Sequence, residues 1–178
     1  VDDATRTIEF TASGREPDRD PYLIHYYRIR FDGSHLTCLT PGKGHHSVQY
    51  SPDRQYLIDT YSRVDHAPVH ELRRAADGTL LCELERADAS ARLETGWKTP
   101  EPFVAKARDS ETNIYGVIWR PMGFDKTNSY PVIEKIYAGP HGSFVPKSWR
   151  EYNSAQSLAE LGFIVVQIDG MGTSHRSK

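Results

Sequence analysis

Two similar turns, about 45 residues apart, constrain the fold of this chain most strongly. Asp32-Gly33 precedes the short apolar run 36–39, and Asp77-Gly78 precedes a second such run at 79–82. A period of roughly 40–45 residues built from short strands is typical of the four-stranded blades of a β-propeller. A small antiparallel sandwich shares these period-two patterns and turn signals, so it remains the alternative for this part of the chain.

The first half of the sequence predicts strands and turns with scarcely any helix. Short segments rich in β-branched and aromatic residues alternate with Gly, Pro, Asp and Ser turns. The predicted strands cover residues 7–12, 22–31, 36–39, 47–50, 55–62, 69–73 and 79–84.

The pattern changes between residues 87 and 100, where a short helical turn at 87–93 is followed by a stretch that Pro100 and Pro102 keep extended. We therefore expect a domain boundary here, with one domain over 1–95 and a second over 96–178. The second domain is predicted to contain a hairpin (103–107 and 114–121), a strand at 130–136, a helix from Trp149 to Leu161 and a strand at 163–168.

The predicted helix carries Tyr152, Leu158 and Leu161 as its apolar stripe, and Gly162 is suited to a left-handed C-terminal position. A strand, a helix and a second strand in this order predict a crossover between parallel strands.

The strand at 130–136 ends abruptly in Ala138-Gly139-Pro140-His141-Gly142. Pro131 suits the first position of a strand, and the two glycines let backbone N–H groups approach a ligand closely. A strand followed by a glycine-bearing loop and a helix predicts a functional loop. In α/β-hydrolases an oxyanion-hole donor comes from the corresponding loop, often from a His-Gly motif such as His141-Gly142.

Three segments of the sequence resemble the dipeptidyl peptidase IV branch of the prolyl oligopeptidase serine peptidases. They are Tyr130-Pro131, the Ile-Tyr-Ala-Gly-Pro stretch at 136–140, and the stretch from Phe163 to Ser174. The resemblance implies an α/β chain with an all-β part, in which the last blades of a propeller precede the first strands of an α/β-hydrolase sheet. It also implies that Tyr137 donates its phenolic O–H to the oxyanion of the tetrahedral intermediate.

The resemblance further implies an activity for the whole protein. This is hydrolysis of short peptides through an acyl-enzyme, after proline or alanine, without a cofactor. Bacterial members of the family suggest a periplasmic or secreted protein. The family's pair of glutamates that binds a free amino terminus belongs to an earlier part of the propeller. An acylaminoacyl-peptidase or an oligopeptidase of the same family therefore stays open as an alternative.

The nucleophile of such an enzyme is a serine in a Gly-x-Ser-x-Gly elbow, followed by an acid and a histidine. The closest stretch, Gly172-Thr173-Ser174-His175-Arg176, has the first glycine but not the second. We therefore expect the Ser, Asp and His of the triad to lie outside this chain and the isolated chain to be inactive. A non-catalytic β-rich binding module is the rival interpretation, and its unpaired strand edges would favour a homodimer.

Charge and composition argue against several other functions. The net charge of −2 predicts no nucleic-acid binding, and the apolar runs are far shorter than the ~20 residues that cross a bilayer. His66 and His70 superficially resemble a helical zinc motif, but Pro68 excludes the helix, so we expect no metal.

The remaining candidate residues are assigned structural roles. Cys38 and Cys82 are predicted to be buried strand thiols. His45-His46 is predicted to lie in a solvated loop. Arg28, Arg30 and Arg73-Arg74 are predicted to point outward from their strands.

Overall fold

The computed structural model describes residues 1–137 and 139–175. Ala138 and Arg176, which belong to two of the motifs above, therefore lie outside the described residues. The chain divides into two compact units. The first comprises Val1–Arg63 and Ala67–Ala87, and the second comprises Val64–His66 and the described residues from Asp88 to His175. The structure is mostly β-sheet with few helices.

The first unit contains two sheets. Strands β1 (Thr7–Ala12), β2 (His25–Arg30) and β3 (Thr37–Cys38) form a three-stranded sheet in that order, with both pairs antiparallel. Strands β4 to β7 form a four-stranded sheet in chain order; they are His45–Tyr50, Tyr56–Arg63, His66–Arg74 and Leu80–Arg86. The prediction of strands without helix in this half is confirmed for the described residues.

The two similar turns occupy equivalent places in these sheets. Gly33 follows β2 with a φ of +81°, and Gly78 follows β6 with a φ of +74°. A residue with a Cβ rarely adopts this left-handed conformation, so each turn requires its glycine. The backbone N–H of Gly33 donates to the carbonyl of Arg30 at 2.9 Å, and that of Gly78 donates to the carbonyl of Arg74 at 2.8 Å.

A cluster of buried charges lies in the first unit, where the sequence predicted solvated side chains. His46 and Arg73 are only 2% and 6% exposed, so the predictions of a solvated loop at His46 and an outward Arg73 are wrong. His46 Nδ1 lies 2.8 Å from Oδ1 of the fully buried Asp59. Arg73 pairs with Glu71 through its Nε at 3.1 Å and also donates to the carbonyl of Gly78. These partners offset the cost of burying the charges.

The two cysteines are also less buried than predicted. Cys82 lies on the edge strand β7 and is exposed, as is every other residue of that strand. Cys38 is half-buried, and burial raises the pKa of its thiol. Both cysteines are free thiols. The thiolate is the nucleophilic form, so a raised pKa lowers the reactivity of Cys38 near neutral pH.

The second unit is built on a mixed sheet. Its elements are α1 (Ser90–Glu94), β8 (Glu101–Lys106), β9 (Asn113–Trp119), β10 (Val132–Glu134), α2 (Ser154–Ala159) and β11 (Ile164–Asp169). The strand order is β10-β11-β9-β8. The predicted hairpin is confirmed by the antiparallel pairing of β8 with β9, and the predicted parallel pair by the pairing of β10 with β11.

Helix α2 is shorter than predicted and packs through a different face. Asn153 is its N-cap, with an extended backbone and a side chain that accepts the N–H of Ala155 at 2.9 Å. The helix therefore begins at Ser154 and not at Trp149, where the sequence predicted its start. The predicted apolar stripe is wrong, since Tyr152 and Leu161 are each 73% exposed. The buried face consists of Ala155 and Ala159, whose small side chains allow close packing against the sheet. Gly162 ends the segment with a φ of +98°, as predicted.

The core of the second unit lies between α2 and the sheet. It contains Trp119 of β9, Val165 of β11, Ala155 and Ala159 of α2, and Val145 of the loop after β10. Val145 packs within this cluster, so the loop that carries the predicted functional residues is anchored in the core of the second unit. No helix among residues 1–137 and 139–175 has the length and apolar character to span a membrane.

Candidate functional site

The candidate site lies on the loop that follows β10. Strands β10 and β11 are parallel, so their carboxyl ends meet at one edge of the sheet. The backbone N–H of Lys135 donates to the carbonyl of Val166 at 2.8 Å, which extends this pairing just beyond β10. Tyr137 comes two residues later. Ligands of open α/β sheets bind at the carboxyl ends of parallel strands, which makes this edge a suitable position for a site.

Tyr137 presents its phenol at this edge. The residue is 56% exposed, and its hydroxyl oxygen lies 3.0 Å from Nε2 of His141. The rings of Tyr137 and Phe144 meet edge to face, with centroids 4.2 Å apart, and the His141 ring lies 5.8 Å from that of Phe144. Three aromatic rings therefore hold one exposed O–H group that is able to donate to a ligand oxygen.

A buried carboxylate anchors the other end of the loop. Asp169, the last residue of β11, is fully buried, and its Oδ1 accepts the backbone N–H of Phe144 at 2.6 Å. The N–H of Val145 lies 3.3 Å from the same oxygen, and Lys147 Nζ lies 3.7 Å from Oδ2. The side chain of Gln167 donates to the carbonyl of Phe144 at 2.8 Å. The end of β11 therefore determines the path of the loop.

The sequence did not assign Asp169 and Gln167 any role. The sequence feature that could have indicated a role for Asp169 is its position as an acidic residue at the end of a largely apolar strand, Ile164–Asp169. Alternate residues of this strand are buried, and Asp169 is one of them. Such a carboxylate requires partners, and the nearest unpaired donors are the N–H groups of loops at the same edge.

A Cβ at one glycine of the loop would overlap with the ring of His141. A Cβ on Gly139 would lie 2.5 Å from Cε1 of His141, which is closer than real contacts allow. A Cβ on Gly142 would lie 3.4 Å from the nearest atom of Phe144, which is an ordinary contact. Gly139 therefore leaves the room that the imidazole ring of His141 occupies beside Tyr137.

Two serines near these motifs, Ser143 directly after His141-Gly142 and Ser174, are not placed as nucleophiles. Ser143 is half-buried within the loop, and Ser174 follows β11 in a turn where the N–H of Thr173 donates to the carbonyl of Gly170 at 3.2 Å. A nucleophilic elbow is a sharp turn directly between a strand and a helix. Ser143 lies instead in the long loop between β10 and α2, and within the described residues no helix follows Ser174.

His66 and His70 lie in strand β6, in agreement with the argument from Pro68, and His70 Nδ1 lies 2.9 Å from the hydroxyl of Thr60. Within residues 1–137 and 139–175, no three His, Cys, Asp or Glu side chains are grouped in a way that could hold a metal ion.

Comparison with known proteins relates both units to one family. The family profile described as the dipeptidyl peptidase IV (DPP IV) N-terminal region matches residues 1–68. The crystal structure of Porphyromonas gingivalis dipeptidyl peptidase 4 superposes on 96% of this chain with a TM-score of 0.74 and 25% identity. The chain is similar to members of the dipeptidyl peptidase IV family over nearly its whole length. This similarity confirms the resemblance inferred from the three sequence segments.

Further dipeptidyl peptidase IV relatives match over nearly the same length. A probable dipeptidyl-aminopeptidase B of Emericella nidulans is 28% identical over 175 residues, which are 96% of this chain and 19% of the relative. The structure of a putative dipeptidyl aminopeptidase IV from Bacteroides ovatus has a TM-score of 0.75 at 25% identity and covers 97% of this chain and 24% of that protein. The chain thus spans about a fifth to a quarter of the dipeptidyl peptidase IV relatives it matches.

Proposed function

We propose that this chain is part of a serine peptidase that removes dipeptides from the amino terminus of short peptides through an acyl-enzyme. The names of its relatives, dipeptidyl-aminopeptidase and dipeptidyl peptidase, support this activity. The observation that carries the proposal is the exposed phenol of Tyr137 at the carboxyl edge of the parallel strands β10 and β11.

In this proposal the two parts of the chain belong to different domains. Residues 1–95 are the end of a β-propeller, which is supported by the four-stranded meander β4–β7 and by the equivalent turns at Gly33 and Gly78. Residues 96–178 are the start of an α/β-hydrolase domain. The parallel pair β10 and β11 with α2 between them, beside the antiparallel hairpin β8–β9, supports this assignment.

Tyr137 has the role of an oxyanion donor. When the nucleophile attacks the scissile carbonyl, negative charge develops on the carbonyl oxygen, and a fixed O–H donor stabilises that charge in the transition state. The phenol suits this task because the aromatic contact with Phe144 and the anchor at Asp169 fix its position before substrate binds. The proposal assigns the serine, acid and histidine of the triad to parts of the whole protein outside these 178 residues.

The activity is tested on the whole protein with a chromogenic dipeptide anilide that ends in proline. We expect cleavage of the substrate with a free amino group and none of its N-acetylated form. Cleavage of only the acetylated form would contradict dipeptidyl release and support the oligopeptidase alternative, because the anilide is released by cleavage after the second residue. No cleavage of either substrate, together with no adduct after treatment with a fluorophosphonate, would overturn the peptidase proposal, because activated serines react with that reagent.

A further inference from the structure

His141 lies within hydrogen-bonding distance of the proposed oxyanion donor. Its Nε2 is 3.0 Å from the hydroxyl oxygen of Tyr137, and the two rings meet edge to face at 76° with centroids 5.7 Å apart. Both rings also contact Phe144, at centroid distances of 4.2 Å and 5.8 Å. The hydrogen bond therefore joins two side chains that a third ring already holds in place.

Two arrangements of protons satisfy this contact, and they differ in consequence. A phenol has a single hydrogen to donate, and a neutral imidazole carries its hydrogen on one of two nitrogens. If Nε2 carries no hydrogen, Tyr137 donates its only hydroxyl hydrogen to His141 and cannot donate to a substrate. If Nε2 carries hydrogen, His141 donates to the phenolic oxygen, and the O–H of Tyr137 stays free to donate elsewhere.

We infer that His141 is a positioning residue for Tyr137, donating its Nε2–H to the phenolic oxygen so that the phenol O–H is directed at the oxyanion. The inference rests on the proposed function, because it assigns the free O–H to that oxyanion. Donation to the oxygen of a hydroxyl also polarises its O–H bond, and linked hydrogen bonds strengthen one another. His141 thus both orients the phenol and makes it a better donor as negative charge develops.

The backbone of the loop is adapted to this contact. A Cβ on Gly139 would lie 2.5 Å from Cε1, 3.1 Å from Nδ1 and 3.2 Å from Nε2 of His141. All three atoms belong to the imidazole ring, so any side chain at residue 139 would displace the ring. The close approach of His141 to Tyr137 therefore depends on glycine at this position.

The inference is tested by steady-state kinetics of the whole protein on the free dipeptide anilide. His141→Leu removes the donor, and we expect kcat to fall about tenfold with KM unchanged, the range expected for loss of one hydrogen bond. His141→Gln has an N–H donor at a similar reach, so we expect its kcat to stay within about threefold of the wild type. Equal loss in both variants would contradict positioning through a donor.

A double-mutant cycle separates this inference from the proposed function. If His141 acts through the Tyr137 hydroxyl, His141→Leu has no further effect on kcat in a Tyr137→Phe background. A tenfold loss in that background as well would overturn the inference. The effect of Tyr137→Phe alone decides the proposed oxyanion role. A fall in kcat for Tyr137→Phe with no change for His141→Leu would overturn the inference and leave the proposed function standing.

Two glycine variants test the geometry without altering His141. We expect Gly139→Ala to lower kcat about as much as His141→Leu, and to have no additional effect when combined with His141→Leu. Gly142→Ala is the matched control, because its Cβ would make only a 3.4 Å contact. A Gly139→Ala enzyme with the kcat of the wild type would contradict the steric argument and the inference with it.

Discussion

The carboxylate of Asp169 accepts the backbone N–H of Phe144 at 2.6 Å, across 25 positions of sequence. Asp169 is the last residue of β11, and Phe144 belongs to the loop that follows β10. The bond fixes the loop from within the core, while Tyr137 on the same loop is 56% exposed. An exposed phenol is therefore held in place by a carboxylate that solvent does not reach.

Replacing Asp169 should destabilise the second unit. Asp169→Asn removes the charge that faces two backbone N–H groups and Lys147, so we expect the free energy of unfolding to fall by about 3 kcal/mol. Tryptophan fluorescence in urea measures this unit selectively, because Trp97, Trp119 and Trp149 all belong to it. The exposed Glu94→Gln serves as control and should change stability by less than about 0.5 kcal/mol. Equal stability of the two variants would contradict the anchoring role.

The sequence predicted the order of elements in the second unit better than their packing. Strand patterns and the parallel pair of β10 with β11 were correct because β-branched runs and a strand–helix–strand order are local signals. The face of α2 was wrong because Ala155 and Ala159 contribute little to an apolar pattern, although only such small residues allow the helix to approach the sheet. Tyr137 was predicted as a site residue from its motif, whereas the role of Asp169 as an anchor depends on contact with a loop distant in sequence.

Two neighbouring arginines should respond differently to substitution. Arg73→Ala removes the guanidinium that pairs with the buried carboxylates of Glu71 and Asp59, and we expect a loss of about 3–5 kcal/mol in the first unit. Arg74→Ala removes only an exposed ion pair with Asp77 and should cost no more than about 1 kcal/mol. Circular dichroism in urea measures both, with tryptophan fluorescence identifying the transition of the second unit. Similar losses would show that burial of Arg73 is not important for stability.

The buried charges of the first unit could not be predicted from hydropathy. Arg73, His46 and Asp59 are polar positions of their strands, as outward-facing residues also are. Only the pairing of side chains on neighbouring strands separates a satisfied buried charge from a solvated one, and that pairing depends on strand register.

The two equivalent glycine turns give a matched pair of variants. Gly33→Ala meets no atom within 4 Å, so it should cost only about 1 kcal/mol for its left-handed backbone. Gly78→Ala would also place its Cβ 2.7 Å from Cα and from the carbonyl oxygen of Leu39, and we expect a loss of about 3 kcal/mol or more. Urea unfolding followed by circular dichroism compares the two. An equal cost would contradict the close backbone approach at Gly78.

His25 should make the stability of the first unit depend on pH. Burial lowers the pKa of this histidine, against an opposing hydrogen bond from Nδ1 to the carbonyl of Thr40 at 2.7 Å. His46 and Arg19 lower the pKa further, and Glu16 raises it. The unfolded chain therefore binds more protons at this site than the folded one, so stability falls as pH drops through the unfolded pKa of about 6.5.

The pH effect is isolated with His25→Gln, which does not titrate. Between pH 7.5 and 5.5 the wild type should lose stability with a contribution from this site of no more than about 1.4 kcal/mol per pH unit. The variant should show a flatter dependence over the same range when both are unfolded in urea and followed by circular dichroism. Parallel curves for the two proteins would mean that His25 keeps the same pKa in the folded and unfolded states.

The kinetic effect of Tyr137→Phe in the whole protein tests the central claim most directly. The substitution removes one hydroxyl and keeps the ring packed on Phe144. Because an oxyanion donor acts mainly in the transition state, kcat should fall by about 10²–10³ while KM changes little. Tyr152→Phe, at a tyrosine that is 73% exposed, is the control and should retain the kcat of the wild type. An unchanged kcat for Tyr137→Phe would contradict the role of Tyr137 as oxyanion donor.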